Sequence, residues 1–262
     1  YHSGRRDFDG KRWLQPDDFH PQDLDLLKSI VEGIEDPEFR ARVSDILWTT
    51  RKDFRSAQLA VEAFVQSAER LKDGECWPLF VERLDRAAQI AAIRGFDAQC
   101  TRVAEVVESA IDEYKDDIRT GLTCLKLMGV LLRLDAGDKE YYAGLAKELA
   151  MRFAEAENWR FSQEYWRVTK AWQLRLKNEA ESQRCNLESA ECDVSNAEGI
   201  LAKGGQAFGA AHWMSRGLEA LRQAKASPER IKEVHAKLLK IQEASTRELG
   251  SLGSPEDAIP GL

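Results

Sequence analysis

Two stretches, LAVEAFVQSAERL at residues 59–71 and FVERLDRAAQIAAI at residues 80–93, decide the fold class. In both, apolar residues recur at three- and four-residue steps, which is the spacing of one face of an α-helix. Similar stripes occur further along, in TRVAEVVESAIDEY, LTCLKLMGVLLRL and YYAGLAKELAMRFAEA. Alternating apolar and polar runs bounded by hairpin signals, which would indicate strands, do not occur. The sequence therefore predicts an all-α protein.

Proline and glycine mark the expected helix ends. The tripeptides DPE at 36–38 and SPE at 227–229 each combine an N-cap residue, a first-turn proline and an early acid. Gly95 and Gly137 lie between apolar blocks, where glycine commonly ends a helix. Short links between such helices favour antiparallel neighbours. We predict about eleven antiparallel helices, over residues 21–34, 37–50, 54–72, 76–94, 97–115, 118–135, 138–157, 159–177, 178–203, 206–225 and 228–247.

By composition the chain has three parts. Residues 1–20 are polar with scattered aromatics, which predicts an irregular N-terminal arm. Residues 21–247 hold the periodic blocks and form the predicted all-helical, repeat-like domain. Residues 248–262 are rich in Gly, Ser and Pro, which is typical of a linker or a disordered tail. A linker at this place favours a further domain beyond it.

An internal similarity favours stacked helices over a globular bundle, although either arrangement suits short antiparallel links. FSQEYWRVTKAWQLRLK begins at Phe161 and FGAAHWMSRGLEALRQAK begins at Phe208, and both open with Phe-x4-Trp before a second amphipathic helix. Paired helices at a regular offset are the trace of a helical repeat. The helix at 159–177 carries large apolar residues on two opposite faces, so we expect neighbours on both sides. We predict a tetratricopeptide-like solenoid.

Charge and cysteine content exclude several functional classes. The formal net charge of -7 argues against a broad basic surface for nucleic acid or for an anionic membrane. No apolar run approaches the ~18 residues that a membrane-spanning helix needs. The five cysteines are odd in number and show no CxxC spacing. This pattern predicts neither a disulfide framework nor a zinc site, and it favours a cytoplasmic location.

Motifs for metal, nucleotide or nucleophilic chemistry do not occur, so we expect no metal, no cofactor and no enzymatic activity. One alternative is a metal-independent ribonuclease, because Arg230 and His235 have the Arg-x4-His spacing of a class of helical ribonucleases. Five residues of helix turn through about 500°, so these two side chains should point about 140° apart. An apolar stripe lies between them, which favours the interpretation of two polar residues flanking a packed face.

An aromatic and basic cluster is the best candidate for partner binding. It comprises Trp159, Arg160, Trp166, Arg167, Lys170 and, in the second similar block, Trp213. If exposed, such residues stack on bases or bind an acidic peptide, which leaves a nucleic-acid-binding module as a further alternative. The competing interpretation is core packing for the tryptophans, with solvated arginines beside them.

DPEFRARVSDILW at 36–48 and ERIKEVHAKLLKIQEAS at 229–245 resemble the N-terminal helical region of a family of large bacterial proteins of unknown function. In that family a C-terminal domain carries an Arg-Asn-x-x-x-His motif, which does not occur in this chain. The resemblance implies a helical accessory region of a defence or RNA-related protein. Together with the helix pattern, it predicts a non-enzymatic scaffold that binds a partner protein or its own missing C-terminal domain.

Overall fold

The computed structural model describes residues 20–74 and 76–251, and this part of the chain is all-helical, without strands, as predicted. The helices are α1 (Pro21–Ile30), α2 (Pro37–Arg51), α3 (Phe54–Asp73), α4 (Trp77–Arg94), α5 (Asp97–Tyr114), α6 (Gly121–Leu134), α7 (Lys139–Glu155), α8 (Trp159–Arg175), α9 (Glu179–Ala202), α10 (Ala207–Gln223) and α11 (Pro228–Ser251). Single 3₁₀ turns occur at Val31–Gly33 and Ile118–Thr120. Almost all of the predicted arm and most of the predicted tail lie outside the described residues.

Helix ends differ from the prediction in three places. The chain tightens into a 3₁₀ turn after α1, and another 3₁₀ turn precedes α6. The second turn forms because the Asp117 carboxylate accepts a hydrogen bond from the Arg119 N–H, while the Thr120 hydroxyl donates to the Asp117 carbonyl. α11 continues to Ser251, beyond the predicted end at 247, since no proline or strong cap interrupts it there.

Several helices end without glycine. Lys52, Glu157, Lys177 and Lys225 adopt positive φ angles of 52 to 58° directly after or close to a helix end. The links after α7 and α8 have the same structure. In each, a residue with positive φ is followed by an asparagine that caps the next helix: Asn158 caps α8 and Asn178 caps α9. Each asparagine side chain accepts a hydrogen bond from the third residue of the helix it caps. These two links are therefore short and alike.

The described chain forms two compact units. The first comprises residues 20–114 and 126–137, and the second comprises residues 115–125 and 138–251. α6 contributes residues to both, 121–125 to the second unit and 126–134 to the first. Within the described residues, none of the helices combines the length and the apolarity that a bilayer-crossing helix needs.

Within each unit, polar bridges join every helix to the next but one. They supplement the packing of consecutive helices, such as α2 on α3 and α9 on α10. In the first unit the bridging pairs are Lys28–Asp53, Glu38–Arg83, Asp45–Arg86, Glu69–Arg102 and Asp85–Arg133. In the second unit they are Lys147–Glu181, Gln163–Arg216, Glu191–Arg230 and Glu198–Lys237. Helices two positions apart in the chain are therefore spatial neighbours.

α8 packs between α7 and α9, as predicted from its two apolar faces. Tyr165 and Trp172 are fully buried, and Trp166 is only 6% exposed. The Tyr165 hydroxyl donates a hydrogen bond to the Gly121 carbonyl at 2.7 Å, and its ring stacks on Phe153. A Cβ at position 121 would lie 2.2 Å from the Phe153 ring, so only glycine fits there. These contacts fix α8 in the second unit.

The two Phe-x4-Trp blocks have different environments. Phe161 is half-buried against Phe153, whereas Phe208 is 67% exposed. Trp166 is buried, whereas Trp213 is half-buried. α10 instead approaches α9 through Gly217, where an added Cβ would lie 2.8 Å from Val194 Cγ2. The similarity of sequence between the blocks is thus not matched by equivalent packing.

Candidate functional site

A polar groove runs along α9 in the second unit. Its floor is one face of α9, carrying Asn186, Ser189, Asp193 and Asn196, and its walls are α8 and α10. The groove comprises two cavities of about 660 and 380 Å³. At 1.5 Å per residue, the floor from Asn186 to Asn196 is about 15 Å long. These dimensions fit a short extended segment.

Three side chains line both cavities and divide the groove between them: Gln163 of α8, Asp193 of α9 and Arg216 of α10. Arg216 Nε lies 3.1 Å from Asp193 Oδ2, and Arg216 Nη2 donates to Gln163 Oε1 at 2.8 Å. Gln163 Nε2 in turn donates to the Ser189 carbonyl at 3.0 Å. The Arg216 guanidinium also lies 4.8 Å from the Trp213 ring centroid. One arginine therefore links all three helices of the groove.

Asp193 is the buried acid of this arrangement, with only 4% of its side chain exposed. Burial raises the pKa of the Asp193 carboxyl above its usual value, against the opposing effects of Gln163 and the nearby cations Arg216 and Arg167. A buried acid with a perturbed pKa in a cleft marks a candidate functional site. The Arg216 guanidinium compensates its charge.

Five of the six predicted binding residues line the groove. Trp159, Arg160 and Trp213 line the smaller cavity, and Arg167 and Lys170 line the larger one. The sixth, Trp166, is buried and lines neither cavity, although it lies on nearly the same face of α8 as Trp159, because α8 packs into the core at this level and not at its first turn. For Trp166 the structure therefore favours the core-packing interpretation.

The cations on the α8 wall differ in their partners. Arg167 pairs with Glu164 one turn away at 2.5 Å. Among the residues that the structure describes, Arg160 and Lys170 have no ion-pair partner, although both line the groove. The two positions are ten residues apart on one helix, or about 15 Å. They give the α8 wall uncompensated positive charge at both ends.

Arg230 and His235 lie outside this groove, on α11. Arg230 donates two hydrogen bonds to Glu191 of α9, at 2.8 and 2.7 Å, and a third to Glu233. These carboxylates raise the pKa of Arg230 above its ordinary value, with the Glu191 hydrogen bonds contributing most. His235 is exposed, and the buried Val234 and Leu238 lie between the two faces. The pair thus flanks a packed stripe, as the helical spacing indicated.

Three thiols are buried, and the thiols and acids of the described chain form no metal-binding cluster. Burial raises the pKa of Cys124, Cys185 and Cys192 to about 11, so these thiols stay protonated near neutral pH. Within residues 20–74 and 76–251 no group of His, Cys, Asp and Glu has the arrangement of a metal site.

Sequence reasoning missed Gln163, Asp193 and Arg216, the three residues at the middle of the groove. Each lies on a different helix, and nothing in the local pattern indicates that they meet. The available signal was the Trp-x-x-Arg step from Trp213 to Arg216, which places the cation on the same helix face as the ring.

Part of the chain matches a known protein family. Residues 3–101 match the model of a family described as a domain of unknown function, DUF7380. The match covers α1 to α4 and the start of α5, so it covers most of the first unit and leaves the groove outside. The search of curated proteins gives no match, and neither does the search of solved structures.

Proposed function

We propose that this chain is a non-enzymatic helical interaction region that holds an extended protein segment in the groove between α8 and α10. The groove itself carries the proposal. An extended segment presents N–H and C=O groups along both edges, and the amide and hydroxyl side chains of the α9 floor suit them. At about 3.3 Å per residue, a floor of about 15 Å accommodates four or five residues.

The bridges between alternate helices support a tetratricopeptide-like stack as the architecture of each unit. In such a stack every helix contacts both its successor and the helix after that, and concave surfaces form where three successive helices meet. The resemblance of 36–48 and 229–245 supports an accessory role in a larger cytoplasmic bacterial protein, whose remainder is one candidate source of the bound segment.

A photo-crosslinking residue at position 215 tests this proposal. Ser215 is exposed and lines the larger cavity, whereas exposed Lys240 of α11 provides a control position in the same unit. We expect protein adducts in producing cells at position 215 and not at position 240. The crosslinked segment, made as a synthetic peptide, should then bind the unmodified protein in solution. Equal labelling at the two positions, or a peptide that does not bind, would defeat the proposal.

A nucleic-acid-binding module is the second candidate, favoured by Trp159 and Trp213 together with Arg160 and Lys170, for which residues 20–74 and 76–251 supply no ion-pair partner. It predicts retardation of single-stranded RNA whose affinity falls steeply with salt. The ribonuclease alternative has less support, because Arg230 is engaged by Glu191 and Glu233. The ribonuclease alternative would regain support if the wild-type protein cleaved RNA and the His235→Ala variant did not.

A further inference from the structure

Arg216 is held in one orientation before any ligand arrives. The Asp193 carboxylate, the Gln163 amide oxygen and the Trp213 ring each contact a different part of its guanidinium group. Gln163 is itself fixed by the Ser189 carbonyl. A planar guanidinium that is already oriented loses little conformational freedom when it binds an anion. The Arg216 guanidinium is therefore already oriented for binding by its contacts with Asp193, Gln163 and Trp213.

Part of the guanidinium remains available to a ligand. Arginine has five N–H donors. The hydrogen bond to Gln163 uses one of the two on Nη2, and Nε lies in the ion pair with Asp193, so the second Nη2 donor and Nη1 remain. Arg216 Nη1 has no hydrogen-bond partner among the residues that the structure describes. The Arg216 side chain is 41% exposed, whereas that of Asp193 is 4% exposed. The buried acid thus orients the arginine from below, and the open side faces the groove.

The charged residues around Arg216 favour the binding of an anionic ligand. Arg160 and Lys170 lie toward opposite ends of the α8 wall without ion-pair partners in the described part of the chain, and Gln163 lies between them. The acids that line the groove are all in ion pairs: Asp193 with Arg216, Glu164 with Arg167 and Glu219 with Arg222. An acidic ligand would find one oriented guanidinium in the middle and a cation toward either end.

We propose that Arg216 is the receptor for a carboxylate of an acidic, extended protein segment. This rests on the proposed function and assigns its partner class. The central carboxylate accepts hydrogen bonds from Arg216, and acids on either side pair with Arg160 and Lys170. Since those positions are about 15 Å apart, the outer acids are four or five residues apart in the segment. Carboxylate favours arginine over lysine at the centre because the fork binds it bidentately.

Fluorescence anisotropy with a labelled peptide of five Glu-Ser repeats tests this assignment. We expect the wild-type protein to bind it, and to bind a Gln-Ser analogue and decauridylate more weakly. Arg216→Lys keeps the charge but loses the fork, so affinity should fall about tenfold. Arg222→Lys is the matched control, since Arg222 is an exposed arginine on the same helix that does not line the groove. Thermal unfolding checks that both variants fold.

Lys170→Gln provides a second variant if Arg216→Lys does not fold. We expect it to lower the affinity for the Glu-Ser peptide a few-fold, and added salt should reduce this difference from the wild type. Equal affinity of the Arg216 and Arg222 variants, stronger binding of decauridylate, or no binding of the Glu-Ser peptide would overturn the assignment. Crosslinks at position 215 that persist unchanged in the Arg216→Lys variant would overturn it while leaving the proposed function intact. An absence of those crosslinks in the wild type would instead remove the proposed function.

Discussion

Arg230 of α11 and Glu191 of α9 form a bidentate ion pair, with Nε to Oε1 at 2.8 Å and Nη2 to Oε2 at 2.7 Å. Two turns further on, Lys237 and Glu198 repeat the connection at 2.8 Å. The two pairs hold the last helix against the helix two positions earlier in the chain. A residue selected by its catalytic spacing to His235 is thus part of a structural clamp.

Replacing Arg230 by Lys should destabilise the protein by about 1 kcal/mol, because lysine cannot form the paired hydrogen bonds. Both side chains are about one-third exposed, so solvent limits the loss. His235→Ala on the same helix should change the free energy of unfolding by less than about 0.5 kcal/mol. Urea unfolding of both variants measures these differences. A costly His235→Ala and a neutral Arg230→Lys would contradict the structural role of the pair.

The pair Glu38–Arg83 predicts acid sensitivity of the first unit. Burial raises the pKa of Glu38, but hydrogen bonds from Ser67, Arg83 and Arg42 outweigh it, and the folded-state pKa lies below the usual value. Its contribution to stability is therefore present above the unfolded-state pKa and is lost as the pH falls through the folded-state pKa.

Glu38→Gln should accordingly lower the free energy of unfolding at pH 7 and flatten its dependence on pH below about 4.5. The control is Glu62→Gln, which replaces an exposed carboxylate on α3. This variant should show the same dependence of stability on acidic pH as the wild type. Thermal melts between pH 3 and pH 7 provide the measurement. Parallel pH profiles for the wild type and the Glu38→Gln variant would refute the assignment.

Two glycines of α10 should respond in opposite directions to alanine. Gly217 lies against Val194, and an added Cβ would lie only 2.8 Å from its Cγ2 and 3.0 Å from its backbone nitrogen, so Gly217→Ala should cost about 1–3 kcal/mol. Gly209 has nothing within 4 Å of such a Cβ, so Gly209→Ala should stabilise the helix by about 0.5–1 kcal/mol. Chemical denaturation of the two single variants separates them. A Gly217→Ala variant that is as stable as the wild type, or more stable, would show that α9 and α10 do not approach closely at position 217.

The left-handed residue after α8 offers a stabilising change. Lys177 has a φ of 58°, a conformation that costs a residue with a Cβ about 1 kcal/mol. Lys177→Gly should therefore raise the free energy of unfolding by about 0.5–1 kcal/mol, whereas Lys177→Ala keeps the Cβ and should gain nothing. Differential scanning calorimetry tests both variants. An equal gain from alanine would mean that the lysine charge, and not the backbone, is responsible.

Helix positions could be predicted closely from the sequence because the signals are local. Apolar spacing, the prolines of 36–38 and 227–229 and the glycines at 95 and 137 each act within a turn or two. The ends at Lys177 and Lys225 lack the glycine signal; at Lys177 the break in apolar periodicity indicated the link, and at Lys225 the Ser-Pro-Glu start of the next helix did. The 3₁₀ turn at Ile118–Thr120 depends on one carboxylate accepting from one N–H, which no periodic pattern reveals.

The groove could be predicted only in part. The aromatic and basic residues of α8 were visible as a cluster, and five of the six predicted side chains line it. Trp166 was not distinguishable from Trp159 by helix spacing, because residues seven apart leave a helix on nearly the same face, and only the packing of α8 decides between them. The contacts of Arg216 with Gln163 and Asp193 require three helices to meet. A single sequence does not reveal such contacts between residues far apart in the chain.

The bridging of alternate helices has a consequence for how this chain folds and opens. The helix pairs that pack extensively are adjacent or next-adjacent in chain order, so the contact order within each unit is low. Low contact order favours rapid folding, and it allows folding to start at any helix and propagate to its neighbours. Amide exchange should accordingly be slowest in the middle of each unit and faster toward α1, the first helix of the first unit, and α11, the last helix of the second. Opening that begins with α11 would break the Arg230–Glu191 and Lys237–Glu198 pairs and expose the face of α9 that carries these two acids, which is opposite the groove floor.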